Sequence, residues 1–273
     1  MKFWFSNKYV QANFSWWTVK KPATVRELLI DLPYAEEIKV RKPMEKELIL
    51  KFHTRYYIQR LESGSEEALG FEWTREMYEC SRYRAQGQLE AADYAIGNKT
   101  ATFNLACGFH HAESNSARGY CTLNGLVLAH IALKEKYPKL KTAVLDLDAH
   151  FGNGCDQFAK SDDEKSFTYL DMSLRLGHND FTNYMSRLEW CLDKLRFFEP
   201  DLIEVNGGMD VLLGDTVGHG ILTLNEVGER DAVVYEFAKG NGYPLVMCLA
   251  GGYQDDAITG HVNSFKKAAN IWR

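Results

Sequence analysis

The chain has 273 residues, of which 45% are hydrophobic and 25% charged, proportions that exclude disordered, collagen-like and coiled-coil classes. Its formal net charge is -5 with the 32 basic residues scattered, which argues against nucleic acid as a direct partner. The longest apolar run, Leu245–Ala250, is far short of the ~18 residues of a membrane span, and Met1–Ser15 resembles neither a signal peptide nor a transit segment.

In chain order, short apolar runs bounded by glycine recur at Thr102–Cys107, Thr142–Leu147, Leu202–Val205 and Leu245–Ala250. Their length and composition suit buried parallel strands. Between them, Leu123–Tyr137 and Phe181–Phe198 carry apolar residues at helical spacing. Thr223-Leu-Asn-Glu226 has the form of a capping box ahead of a helix over Asp231–Lys239, with Gly240 and Gly242 placed to stop it. Strands alternating with helices predict an α/β fold, a central parallel sheet with helices on both faces. No repeat or linker interrupts the chain, so one domain is expected over residues 1–273. The six cysteines form no CxxC pair and sit in hydrophobic stretches, as free thiols do in a reducing, cytoplasmic setting.

The strand endings carry the chemistry. The first run leads into Gly108-Phe-His110-His111, the second into Asp146-Leu-Asp148-Ala-His150-Phe-Gly152-Asn153-Gly154, the third into Asn206-Gly207-Gly208-Met-Asp210 and the fourth into Gly251-Gly252-Tyr253. Ligands of open α/β sheets bind outside the carboxyl ends of the strands, so four such endings predict one site. Strand spacing puts Asp148 and His150 on one side with Asp146 behind them, and Asp210 is available as a third ligand. Two carboxylates and an imidazole form a three-ligand centre that leaves a position for water, as in catalytic zinc sites. The competing reading has Asp146 and Asp148 as helix caps and His150 as a satisfied core imidazole. His110 and His111 suit general acid/base work, one oriented by Asp146; as an alternative they could hold a second metal. Tyr253 could donate a hydrogen bond to an oxyanion, or simply pack.

These strings, with Arg118-Gly-Tyr-Cys121 and Gly214-Asp215, resemble the ordered motifs of the zinc-dependent histone deacetylase and acetylpolyamine amidohydrolase superfamily, and His53-Thr-Arg-Tyr-Tyr57 resembles its N-terminal helix signature. The similarity runs from about Glu45 to Phe265, is greatest to the class IV deacetylases, and leaves Asn7–Arg41 unmatched. The resemblance implies the arginase/deacetylase fold and one catalytic Zn2+, with Fe2+ as the other candidate, on Asp148, His150 and Asp210. It implies His111 as general base and acid, His110 as an electrostatic partner held by Asp146, and Tyr253 as the carbonyl-polarising group. Gly119 and Tyr120 would line the substrate tunnel with Gly251 and Gly252 beside them, Glu72 would contact the substrate main chain, and a K+ ion would lie near Asp146. Asn153 stands where class I enzymes keep an Asp beside the general base.

The activity implied is hydrolysis of an N-acyl-lysine amide in a protein or peptide, with class IV kinship pointing to long fatty acyl groups. Phe109, Tyr120, Phe151, Met172, Met209, Val211, Leu212 and Leu213 would supply an apolar acyl pocket. The alternatives are an acetylpolyamine amidohydrolase acting on a small acylated amine, and a non-catalytic acyl-lysine binding module. A two-metal guanidine hydrolase is disfavoured because Asp148-Ala-His150 runs opposite to the order such enzymes use.

Overall fold

The computed structural model describes residues 1–12, 17–65, 67–68, 71–72, 74–177 and 180–272, without the side chains of 17–19, 67–68 and 71–72. In chain order its elements are β1 (Lys2–Phe5), α1 (Trp17–Leu29), β2 (Glu36–Lys39), α2 (Lys46–Ile49), α3 (Arg55–Ser63), β3 (Glu67–Ala68), β4 (Phe71–Glu72), α4 (Arg75–Asn98), β5 (Ala101–Asn104) and α5 (Gly125–Lys136). There follow β6 (Thr142–Asp146), α6 (Asn153–Ser161), β7 (Phe167–Asp171), α7 (Phe181–Phe198), β8 (Leu202–Asn206), α8 (Leu224–Asn241), β9 (Leu245–Cys248) and α9 (Asp256–Ile271).

Seven strands form one sheet in the order β2-β1-β5-β9-β8-β6-β7, and every pairing in it is parallel. The four strands expected from the apolar runs are β5, β6, β8 and β9. They are wholly buried, as central strands covered on both faces must be. Neighbouring residues of β5 show the two layers. The Thr102 hydroxyl donates to the Ala91 carbonyl of α4 at 3.0 Å, while the Phe103 ring packs edge-on against Phe265 of α9, centroids 5.0 Å apart.

Strands β1, β2 and β7 extend the sheet beyond the sequence expectation. β2 is an edge whose four residues are all at least partly exposed, so it carries no apolar run to betray it. The helix expected over Asp231–Lys239 starts earlier, directly after Thr223: the Thr223 and Glu226 side chains close a capping box there, which satisfies orphan N–H groups at the first turn. It runs through Gly240 and stops at Gly242, whose φ of 73° is the left-handed conformation glycine adopts without steric cost. All six cysteines are buried and none forms a disulfide. No described helix is long and apolar enough to cross a membrane.

Candidate active site

The four motif-bearing strand endings belong to adjacent strands, β5-β9-β8-β6, so their loops converge over one stretch of the sheet's carboxyl edge. β6 ends at Asp146. Asp148 and His150 therefore share a side because of the turn that follows, not because of the strand pleat expected from spacing. The Asp148 carboxylate accepts from the His150 N–H at 3.0 Å and the Gly251 N–H at 2.8 Å, and Asp210 accepts from the Ala149 N–H at 2.9 Å. His150 Nδ1 then lies 2.8 Å from Asp210 and 3.1 Å from Asp148.

One ligand atom from each of Asp148, His150 and Asp210 lies within 4.8 Å of the other two. Asp148 and Asp210 are both buried with carboxylate oxygens in one cluster, an arrangement of like charges that favours a proton or a cation between them. Burial and the Asp148 charge push the Asp210 carboxyl up to about 7. Hydrogen bonds to Asp148 and Asp210 pull His150 up to about 11. The donor set fits a divalent ion with carboxylate and imidazole ligands. Glycine is required beside it: a Cβ at Gly251 would fall 2.5 Å from the Asp210 carboxylate and 2.6 Å from that of Asp148.

His110 and His111 follow the turn at Gly108, whose φ is +84°, and their rings sit 4.0 Å apart with different partners. His110 Nδ1 lies 2.8 Å from Asp146 Oδ2. The Asp146 carboxylate also accepts from Tyr169 at 3.0 Å, Asn206 at 2.7 Å and the Asp148 N–H at 3.2 Å. Burial works against charge on His110, yet the Asp146 and Asp148 carboxylates raise it to about 9. His111 is lowered to about 3, first by burial and then by the charge of His110. Adjacent imidazoles are thereby shifted in opposite directions, the pattern by which active sites separate roles between like groups. Among the described residues neither histidine belongs to a metal-ligating cluster.

The Tyr253 main chain is fixed by Asp215, which accepts its N–H at 2.7 Å and those of Val217 and Gly218 at 3.0 and 2.8 Å. Burial, with the Asp148 and Asp210 charges, pushes the Tyr253 phenol far above its usual range, so it stays protonated and able to donate. Tyr253, Gly119, Tyr120, Gly251, His110 and Asp148 line one cavity. Gly252 turns instead toward Ala257 and Met209. The Glu72 side chain lies outside the described residues.

The expected apolar acyl pocket is not formed by the residues assigned to it. Phe109, Met172, Met209, Val211 and Leu212 are buried in the core, Leu213 is 54% exposed, and Phe151 lies under the Arg175 guanidinium, 3.4 Å from ring centroid to carbon. Tyr120 alone of the eight lines the cavity. Core packing claimed Phe109, Met172, Met209, Val211 and Leu212 because the motif loops start from strands buried on both faces.

Two buried cations at the site escaped sequence reasoning. Lys21 Nζ donates to the carbonyls of Ala250 at 2.9 Å and Gly251 at 2.6 Å, and it clamps the Tyr253 loop from beneath. Its signal was present: Lys21, Val25 and Leu29 are buried at helical spacing on α1, so a lysine occupies an apolar-stripe position. Arg230, wholly buried on α8, donates to the carbonyls of Gly208 at 3.0 Å and Leu147 at 3.4 Å. It thereby ties together the two loops that carry Asp148, His150 and Asp210, with Asp231 as its counter-ion.

A family model described as "Histone deacetylase domain" matches residues 19–174 and 166–269. Histone deacetylase 2 of Arabidopsis thaliana is 26% identical over 261 residues, covering 84% of this chain and 67% of its own length. An uncharacterized protein of Picosynechococcus sp. is 27% identical over 217 residues, covering 73% and 71%. Among solved structures, acetylpolyamine aminohydrolase from Burkholderia pseudomallei superposes with a TM-score of 0.78 at 19% identity, over 99% of this chain and 98% of that one. The fold is thus the arginase/deacetylase α/β architecture.

Proposed function

The chain belongs to the histone deacetylase domain family, and from that premise we propose that it hydrolyses the amide of an N-acylated lysine side chain, using one Zn2+ ion held by Asp148, His150 and Asp210. When bound, the ion supplies a Lewis acid that polarises the acyl oxygen and makes water acidic enough to attack near neutral pH. His111, neutral and with Nδ1 engaged by Asn153, offers Nε2 to take a proton from the attacking water. The water oxygen bonds to the acyl carbon, the carbon–nitrogen bond breaks, and His111 returns that proton to the leaving amine. His110, held charged by Asp146, contributes positive potential and leaves the proton transfers to its neighbour. The protonated Tyr253 hydroxyl donates to the oxyanion, a contribution made chiefly in the transition state.

The observation that carries this reading is the pair of adjacent imidazoles with different partners, His110 on the Asp146 carboxylate and His111 on the Asn153 amide, within the same loop cluster as the ligand atoms of Asp148, His150 and Asp210. Its test is Tyr253→Phe, which removes one hydroxyl. The variant should keep its metal while turnover on an acetyl-lysine peptide falls by about 10²–10³-fold. Near-normal turnover would remove Tyr253 from the chemistry. Activity confined to N-acetylputrescine would move the substrate to small acylated amines, and a metal-loaded wild type inert on both would leave a binding module.

A further inference from the structure

We infer that Arg84 sets the length of acyl group this site accepts, closing the cavity next to the catalytic centre so that an acetyl group fits and a long alkyl chain does not; the inference rests on the deacylase reading above. The cavity shared by His110, Asp148, Gly251 and Tyr253 has a volume of about 20 Å³, room for roughly one water-sized group, the size of the terminal methyl of an acetyl. Arg84, reaching in from α4, lines the same space. It is 6% exposed, and among the described residues it forms no ion pair with a carboxylate.

Arg84 is held rigidly. Its Nε donates to the Tyr9 carbonyl at 2.9 Å, and Nη2 donates to the same oxygen. Tyr9 is itself wholly buried, with its hydroxyl donating to Asn104 Oδ1 at 2.8 Å. Asn104 Nδ2 donates back to the Arg84 carbonyl at 3.1 Å. Gly87, one turn along α4, leaves space for this arrangement: a Cβ there would fall 1.7 Å from the Tyr9 hydroxyl oxygen.

A long acyl chain would therefore meet a fixed guanidinium. Packing methylenes against it would strip a buried charge of polar surroundings without supplying a partner. Swinging the side chain aside would leave the Tyr9 carbonyl without either of its Arg84 donors. A methyl group demands neither. The arginine thus makes the acyl subsite short by charge as well as by volume, contrary to the fatty-acyl preference that class IV kinship suggests.

The experiment compares kcat/KM for one lysine peptide carrying acetyl, butyryl, octanoyl or myristoyl groups. The metal-loaded wild type, Arg84→Ala and Arg84→Met are each assayed, with a thermal melt to establish folding. The wild type should lose at least about 100-fold from acetyl to octanoyl. Arg84→Ala should raise the octanoyl-to-acetyl ratio by about tenfold or more, and Arg84→Met, which keeps bulk without charge, by less. Wild-type hydrolysis of octanoyl or myristoyl peptide at the acetyl rate overturns the inference even if no variant folds. So does an unchanged ratio in a folded Arg84→Ala. Either result leaves the deacylase reading standing, whereas inactivity of the wild type on every acyl group, on the lysine peptide and on putrescine alike, sinks both. If only acetylputrescine is hydrolysed, the same acyl series on putrescine gives the ratios.

Discussion

His111 Nδ1 lies 2.9 Å from the Asn153 side-chain carbonyl oxygen, so the imidazole donates from Nδ1 and keeps the Nε2 lone pair for reaction. A neutral amide fixes the tautomer without adding negative charge, and burial with the neighbouring His110 charge holds His111 down at about 3. The Asn153 Nδ2 group is buried without a hydrogen-bond partner among the described residues.

Asn153→Asp replaces that unpaired donor with an acceptor and places a negative charge against the imidazole. A carboxylate stabilises the protonated ring, so the His111 pKa should rise by about 1–2 units. Because the base works only when neutral, the acid limb of the kcat/KM pH profile should move to higher pH. Profiles of wild type and variant that superimpose on the acid side would remove His111 from the role of base.

Metal binding should depend on Asp210 and on pH together. Without an ion, His150 is held at about 11 by Asp148 and Asp210, so a divalent cation has to displace a proton, and affinity should strengthen as pH rises. Asp210→Asn keeps the side-chain shape but removes a ligand charge, and zinc affinity measured by chelator competition should weaken by at least about 100-fold. A full equivalent retained at wild-type affinity would mean that the ion sits elsewhere.

Stability should respond to pH through Glu204, which no catalytic step uses. This carboxyl is wholly buried on β8, 2.6 Å from Gln88 Nε2, with Oε1 unpartnered among the described residues. Burial raises its pKa from 4.5 to about 8. Between those values the folded chain keeps a proton that the unfolded chain has released, so stability falls as pH rises through the window and levels off above it. Glu204→Gln removes the titration. Its melting temperature should exceed the wild type's by several degrees at pH ~9, with the gap closing toward pH ~5. Melting curves that run parallel across that range would contradict a buried, protonated Glu204.

Much of the site could be read along the chain because its parts are local. The glycine-flanked endings after β5, β6, β8 and β9 each carry their His, Asp or Tyr within a few residues of a buried apolar strand, and a parallel sheet puts all such endings on one edge. The Thr223 capping box was equally legible, since both of its members lie within one helical turn.

Tertiary structure alone decided what depends on distant partners. The order β5-β9-β8-β6 makes the four endings neighbours, and no local pattern contains it. β2 pairs as an edge strand with half-exposed residues, so its period carries no apolar signal. Lys21 reaches carbonyls 229 and 230 positions away, Arg84 one that is 75 away, and Arg230 one that is 83 away. Arginine and lysine are expected in water because burying an isolated cation is costly. The folded backbone, with its carbonyls turned inward, offsets that cost, helped at Arg230 by the Asp231 carboxylate, and turns three residues that resemble surface charge into walls and clamps of the site.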